Sequence, residues 1–127
     1  MTLCVTLYQL ADKMDHARWE AQLRKGCLDL AVLATLWDGR LYGLEILKYL
    51  REKAGLEIVE GTLYPLLMRL KQEALLESTW VSEAAHPRKY YWLTKAGRQR
   101  TRQMAETWAV FEQNISRLLV PVKERGR

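Results

Sequence analysis

Ten consecutive residues, Leu28 to Trp37 (LDLAVLATLW), set the terms for the whole chain. Leu28, Val32, Leu33 and Leu36 repeat at the helical period, and Leu30, Ala31 and Trp37 carry the apolar surface nearly all round. A helix without a polar face belongs in the centre of a domain. Asp29 interrupts the run, which falls short of the roughly 20 residues a membrane span needs, so its cover must come from protein. With 127 residues, 49% of them hydrophobic, the chain can build one core and has little left for a second.

The residues that supply the cover follow in order. WDGRLYG is a break, with Gly39 as the expected C-cap, and it leads into YGLEILKYLREKAG. There Gly43, Ile46, Leu47 and Leu50 recur at i, i+3, i+4 and i+7, predicting an amphipathic helix that ends at Gly55. A third helix lies in EGTLYPLLMRLKQEALLEST, Glu60 to Thr79, with Leu63, Leu66, Leu67, Leu70 and Ala74 as its inward stripe. Its start has two solutions: Thr62 as N-cap with Pro65 in the first turn, or an origin near Val59 with Pro65 bending the helix. LLESTWVS and RKYYWLT then read as two short strands joined by EAAHP, with Tyr91 and Leu93 on the buried face and Tyr90 and Trp92 on the outer one. Thr94 is the expected N-cap of a final helix that reaches about Leu119 and stops at Val120 and Pro121.

Three helices, a hairpin and a fourth helix is the order of a winged helix-turn-helix. The expected fold is therefore mainly α with a small β-hairpin, the winged domain being followed by a C-terminal dimerisation helix. The expected division is residues 1–14 as a loosely held extension, 15–93 as the DNA-binding domain, 94–120 as the dimerisation helix and 121–127 as a tail. Asp15 would open the first helix as its N-cap. The outward face of the third helix carries Thr62, Pro65, Met68, Arg69 and Gln72, a surface that could enter a major groove.

Charge points the same way. No acidic residue lies between Glu83 and Glu106, whereas Arg88, Lys89, Lys95, Arg98, Arg100 and Arg102 fall there and outweigh the net +5 of the whole chain. A basic block confined to one region suits a polyanion partner, and a solvated basic face is the plain alternative. Cys4 and Cys27 lack CxxC spacing, which fits a reducing cytoplasm better than a disulfide framework; Cys27 is expected in the core. MTLCVTLYQLADKM does not read as a signal peptide, and no membrane partner is expected. His16 and His86 are the only imidazoles, and no nucleophile motif, phosphate-binding glycine loop or metal-ligand spacing accompanies them. Catalysis, a cofactor and a metal are accordingly not expected.

KGCLDLAVLATLWDGRLYGLEILKYLRE, EGTLYPLLMRLKQEALLES and PRKYYWLTKAGR resemble, in order and spacing, the signature segments of PadR-like transcriptional regulators, over roughly residues 25–98. The resemblance implies a homodimeric winged-helix repressor of inverted-repeat operators in double-stranded DNA, released by a small molecule. On that resemblance Tyr42 is similar to a phosphate-contacting tyrosine, Thr62, Tyr64, Pro65 and Arg69 match the recognition-helix region, and Arg88 and Lys89 match the basic wing tip. Two positions depart from the family's pattern. Val59 stands where a small polar cap is common, and Trp92 where a basic residue is frequent.

In the last helix Met104, Trp108, Phe111, Ile115 and Leu118 are spaced 4, 3, 4, 3, the seam of a coiled-coil-like dimer contact. Trp108 either fills that interface or, as the family resemblance implies, lines a pocket in it for a small, flat aromatic effector. The rival reading of the whole chain is a winged-helix protein-interaction module, which would place aromatics on the exposed helix face and lack a basic wing.

Overall fold

The computed structural model describes the backbone of residues 2–83 and 85–125 and the side chains of residues 6–82 and 85–124. Seven elements follow one another: α1 (Thr2–Thr35), β1 (Leu41–Tyr42), α2 (Gly43–Ala54), α3 (Glu60–Gln72), β2 (Leu76–Glu83), β3 (His86–Leu93) and α4 (Lys95–Arg125). The strands form one antiparallel sheet in the order β1-β3-β2.

The core gathers where the sequence places it. Val32 and Leu33 of α1 and Leu36 just beyond it meet Ile46 and Leu50 of α2, and Leu63, Leu67 and Leu70 of α3 close the cluster from the other side. Leu76, Tyr91 and Leu93 cap it from the sheet. Each such side chain contributes roughly 1.5–3 kcal/mol by leaving water, so the cluster outweighs any surface interaction in the molecule. Gly55 takes the left-handed conformation, φ 64°, and lets Leu56 N–H bond the Leu50 carbonyl at 3.1 Å, ending α2 as expected.

Four boundaries differ from expectation, and a fifth settles an alternative. First, α1 does not start at Asp15 but runs unbroken from Thr2: residues 6–26 are exposed and extend a helix whose nucleus is fixed by its packed C-terminal part. Second, α1 ends at Thr35, and Gly39 closes a turn after it rather than capping it. Third, α3 takes the second of its two possible starts: the N-cap is Val59, whose carbonyl accepts from Thr62 and Leu63, and Pro65 lies inside the helix. Fourth, strand pairing extends into the segment expected to be the connection, Glu83 pairing with His86 and Ser82 with Pro87. Pro87 is tolerated because β1 reaches only Tyr90 and Tyr91, leaving β3 an open edge there. Fifth, Pro121 does not stop α4, which continues to Arg125; that turn is exposed, so water can take the Arg117 carbonyl that the proline leaves unbonded.

Ala74 does not belong to the buried stripe of α3. It is exposed, with φ 60°, as the left-handed residue of a Schellman ending: Ala74 N–H bonds the Lys71 carbonyl at 2.9 Å and Leu75 N–H the Leu70 carbonyl at 3.0 Å. An alanine held there forfeits about 1 kcal/mol that glycine would not. Ala74→Gly should therefore stabilise the fold, by a few tenths to about 1 kcal/mol once the freer unfolded chain is subtracted. A thermal melt reads it as a rise of a few degrees, and a fall would show that the Ala74 methyl makes a contact worth more than the strain.

Thr94 is the N-cap foreseen for α4: its hydroxyl accepts from Gly97 N–H at 2.9 Å and donates to the Ala74 carbonyl at 2.7 Å. Thr94 N–H adds a 3.1 Å bond to the Leu75 carbonyl. The root of α4 is thus tied to the junction between α3 and β2. The Cys4 side chain lies outside the described ones; Cys27 is free and half-buried, facing a groove rather than the core.

Candidate nucleic-acid interface

The outward face of α3 is open along its length: Thr62, Pro65, Arg69 and Gln72 are exposed and Met68 keeps 64% of its surface. The opposite face supplies Leu63, Leu66, Leu67 and Leu70 to the core, so the helix is presented rather than enclosed. Lys71 Nζ donates to Ser78 Oγ at 2.8 Å, binding the end of α3 to the base of the wing.

Within this face the candidate residues are not equivalent. Tyr64 is turned sideways, its ring against Gly43 at the start of α2, where a side chain of any size would collide with it. Burial, and then the nearby Glu60 carboxylate, push the Tyr64 hydroxyl above its ordinary range, so it stays a neutral donor. Arg69 is engaged by its own protein: Nη2 lies 2.7 Å from Asp29 Oδ1 on α1 and Nη1 3.5 Å from Glu73 Oε2. Both pairs are exposed and worth at most about 1 kcal/mol each, yet they orient the guanidinium toward α1.

The wing separates Arg88 from Lys89. Strand alternation puts them on opposite faces of β3. Arg88 covers the Tyr42 ring at 4.6 Å, while Lys89 Nζ lies 5.8 Å from the rings of both Trp80 and Tyr91. Tyr42 meets its cross-strand neighbour Tyr90 edge-on, with centroids 5.5 Å apart, and Arg40 covers Tyr90 at 4.7 Å. Tyr42 N–H is bonded by Glu45 Oε1 at 3.1 Å, which caps α2. As alternation foretells, Tyr91 and Leu93 are buried, and Tyr90 and Trp92 on the outer face are half-buried.

The basic block of the sequence is not one patch in space. Arg98 and Arg102 of α4 both cover Trp37, at 4.8 and 5.2 Å, and Arg98 also donates to the Trp37 carbonyl at 3.0 Å. These two charges fasten α4 to the end of α1. Arg100 faces a groove between α1 and α4. Only Arg88 and Lys89 of the block stand on the wing, joined there by Arg40, which sequence reasoning missed because it lies far from the block. Trp80, 66% exposed on the wing, was also missed, since a strand tryptophan reads by default as core.

The dimerisation candidates divide as well. Met104 packs against the core, Trp108 and Phe111 face the α1–α4 groove with ring centroids 6.3 Å apart, and Ile115 and Leu118 are exposed further along α4. The groove holds about 550 Å³ and its α1 wall includes Leu23, Cys27 and Leu30. Among the described residues no helix is long and apolar enough to cross a membrane.

Three packed helices with an open third helix and a two-stranded wing define a winged helix-turn-helix protein of the DNA-binding kind. A family model described as the transcriptional regulator PadR-like family matches residues 32–103. The chain belongs to the PadR-like family of transcriptional regulators, whose members are regulators and not enzymes.

Its relatives include an uncharacterized protein of Lysinibacillus sphaericus, 30% identical over 95 residues that span 72% of this chain and 86% of that protein. Among solved structures, a PadR-family transcriptional regulator from Eggerthella lenta DSM 2243 is 33% identical, with a TM-score of 0.79 over 87% of this chain and 97% of that one. A PadR-like regulator from Bacillus cereus is 29% identical, with a TM-score of 0.71 over 78% and 97%. Bacillus subtilis PadR, solved in complex with operator DNA, is 27% identical, with a TM-score of 0.57 over 61% of this chain and 46% of that one.

Proposed function

We propose that this protein is a cytoplasmic homodimeric repressor that binds an inverted-repeat operator and leaves it when a small aromatic molecule binds. The observation that carries DNA binding is the outward face of α3, left open beside a wing that holds Arg88 and Lys89. Tyr42, Arg88 and Lys89 take phosphates and supply affinity and salt dependence; Thr62, Pro65 and Arg69 meet base edges, with Tyr64 steadying the start of the helix. The solved complex of Bacillus subtilis PadR with operator DNA supports the same use of the fold. The protein-module alternative fits less well, since Thr62, Arg69 and Gln72 make the face polar and the wing is basic.

Arg69 must exchange Asp29 for a base to read sequence. Arg69→Ala should then cost about 1–3 kcal/mol on the operator and less on unrelated DNA, whereas Lys89→Ala should weaken both alike. Binding titrations on the two duplexes decide it. Equal losses for Arg69→Ala would make Arg69 a structural or phosphate-contacting residue and leave recognition to Thr62 and Pro65.

Dimerisation is supported by the exposed apolar run of α4, from Trp108 through Phe111 and Ile115 to Leu118, which one small domain leaves in water. The groove beside Trp108 is of ligand size and mostly apolar, which supports an aromatic effector there. Planar aromatic compounds should quench tryptophan fluorescence, and Trp108→Ala should abolish the response while the protein stays dimeric and binds DNA. A Trp108→Ala protein that is monomeric and inert toward DNA would make Trp108 a packing residue.

A further inference from the structure

The arginines near the interface differ in what their donors already hold. Arg69 gives two nitrogens to Asp29 and Glu73, and Arg98 gives one to the Trp37 carbonyl. Arg40 and Arg88 have no ion pair or hydrogen bond among the described residues, though each is fixed in place by an aromatic face. A guanidinium stacked on a ring uses its π surface and leaves the N–H fork at its rim free. Such a fork has already lost part of its rotamer freedom, so an anion that it binds pays less for ordering it.

The two forks are coupled. Arg40 lies on Tyr90, Arg88 on Tyr42, and Tyr42 and Tyr90 form a cross-strand pair in edge-to-face contact. The result is a cation–aromatic–aromatic–cation ladder across the β1–β3 seam, at the mouth of α2. The α2 N-terminus itself is partly answered by Glu45 through the Tyr42 N–H, so the anion-binding capacity here resides in the side chains. Both arginines are exposed.

We propose that Arg40 and Arg88, positioned by Tyr90 and Tyr42, form a two-armed clamp on the sugar-phosphate backbone of DNA, with Arg40 as a contact residue in its own right. The clamp rests on the DNA-binding reading above and adds to it a residue and a geometry. It reads no sequence. Its work is to fix the angle at which the start of α2 and the wing meet one strand, and so the register of α3 in the groove.

The salt dependence of binding tests it, with the full-length protein, a mixed-sequence duplex, and an inverted repeat recovered with the wild-type protein from a random-sequence library. Each phosphate contact contributes about 0.9 to the slope of log affinity against log salt. Arg40→Ala and Arg88→Ala should each flatten the slope by about one and weaken both duplexes by a similar factor, roughly three- to tenfold at physiological salt. Arg40→Lys should keep the slope but lose affinity, because lysine carries the charge without the stacked fork. Arg98→Ala, whose arginine is held by Trp37, should leave the slope unchanged. Arg40→Gln repeats the measurement with a bulkier neutral side chain, and a thermal melt confirms that each variant is folded. An unchanged slope for both Arg40→Ala and Arg40→Gln overturns the clamp, as does a loss restricted to the selected repeat, which would make Arg40 a base reader. If the wild-type protein binds neither duplex, the DNA-binding reading falls and the clamp with it.

Discussion

Replacing Gly97 by alanine should cost the fold about 3 kcal/mol and lower its melting temperature by roughly 10 °C or more. A methyl group at Gly97 would overlap the Leu75 carbonyl oxygen, approach the Leu75 carbonyl carbon to 3.0 Å and press on Leu93 Cδ2 at 3.3 Å. The obstacle is backbone, and that backbone is already fixed by Thr94 N–H and by the Thr94 hydroxyl on Ala74. Neither partner can step aside without breaking the cap of α4 or the ending of α3. Circular dichroism melts of Gly97→Ala beside Gly61→Ala, where an added Cβ meets nothing within 4 Å, separate this collision from the general effect of removing a glycine. A Gly97→Ala loss no larger than that of Gly61→Ala would show that the root of α4 can slide away from β2.

Placing a charge in the apolar run of α4 should have the largest effect on DNA binding. Phe111 is 54% exposed in the single chain, so Phe111→Glu leaves the core intact and should fold with little change in melting temperature. Across a subunit contact the same carboxylate would be buried unpaired, which costs several kcal/mol. The expected outcome is a monomer by sedimentation and a loss of operator affinity on the order of a hundredfold, because one winged domain engages only half of a two-fold site. A Phe111→Glu protein that remains dimeric would move the contact to the exposed apolar residues of α1, such as Leu7, Leu10 and Met14.

The elements easiest to read in the sequence were those with long periodic surfaces. Leu28 to Leu36, Ile46 to Leu50 and Leu63 to Leu70 are buried as their spacing foretells, because a stripe that repeats over three turns has only one way to leave water. β1 escaped notice since two residues carry no period. The first half of α1 escaped it for a different reason: an exposed helix needs no stripe, and Leu7, Leu10 and Met14 stay in water along it. Pro121 was overread as a stop because the rule against interior proline is strictest where a carbonyl would be buried unbonded.

For the interface, residue types were legible and partners were not. Arg69 was identifiable as a long basic side chain on an open face, but Asp29 lies 40 positions earlier in the chain, and no local pattern joins the two. The same holds for Arg98 and Trp37, 61 positions apart, a pairing that holds one charge of the sequence's basic block on the turn after α1. Strand alternation, by contrast, suffices to put Arg88 and Lys89 on opposite faces of the wing.

β3 ends at Leu93, Thr94 caps, and α4 begins at Lys95, so the wing and the C-terminal arm of the molecule share a joint without slack. An α-helix of 31 residues is about 46 Å long, and as a rigid lever it converts a sideways shift of about 4 Å at its far end into a turn of roughly 5° at its root. The strand that carries Arg88 and Lys89 runs directly into that root. Because Arg98 and Arg102 also hold the root to Trp37, a displacement of distal α4 would reach the wing and the end of α1 together. Shortening α4 by whole turns would regear that coupling in steps while leaving every residue of the winged domain in place.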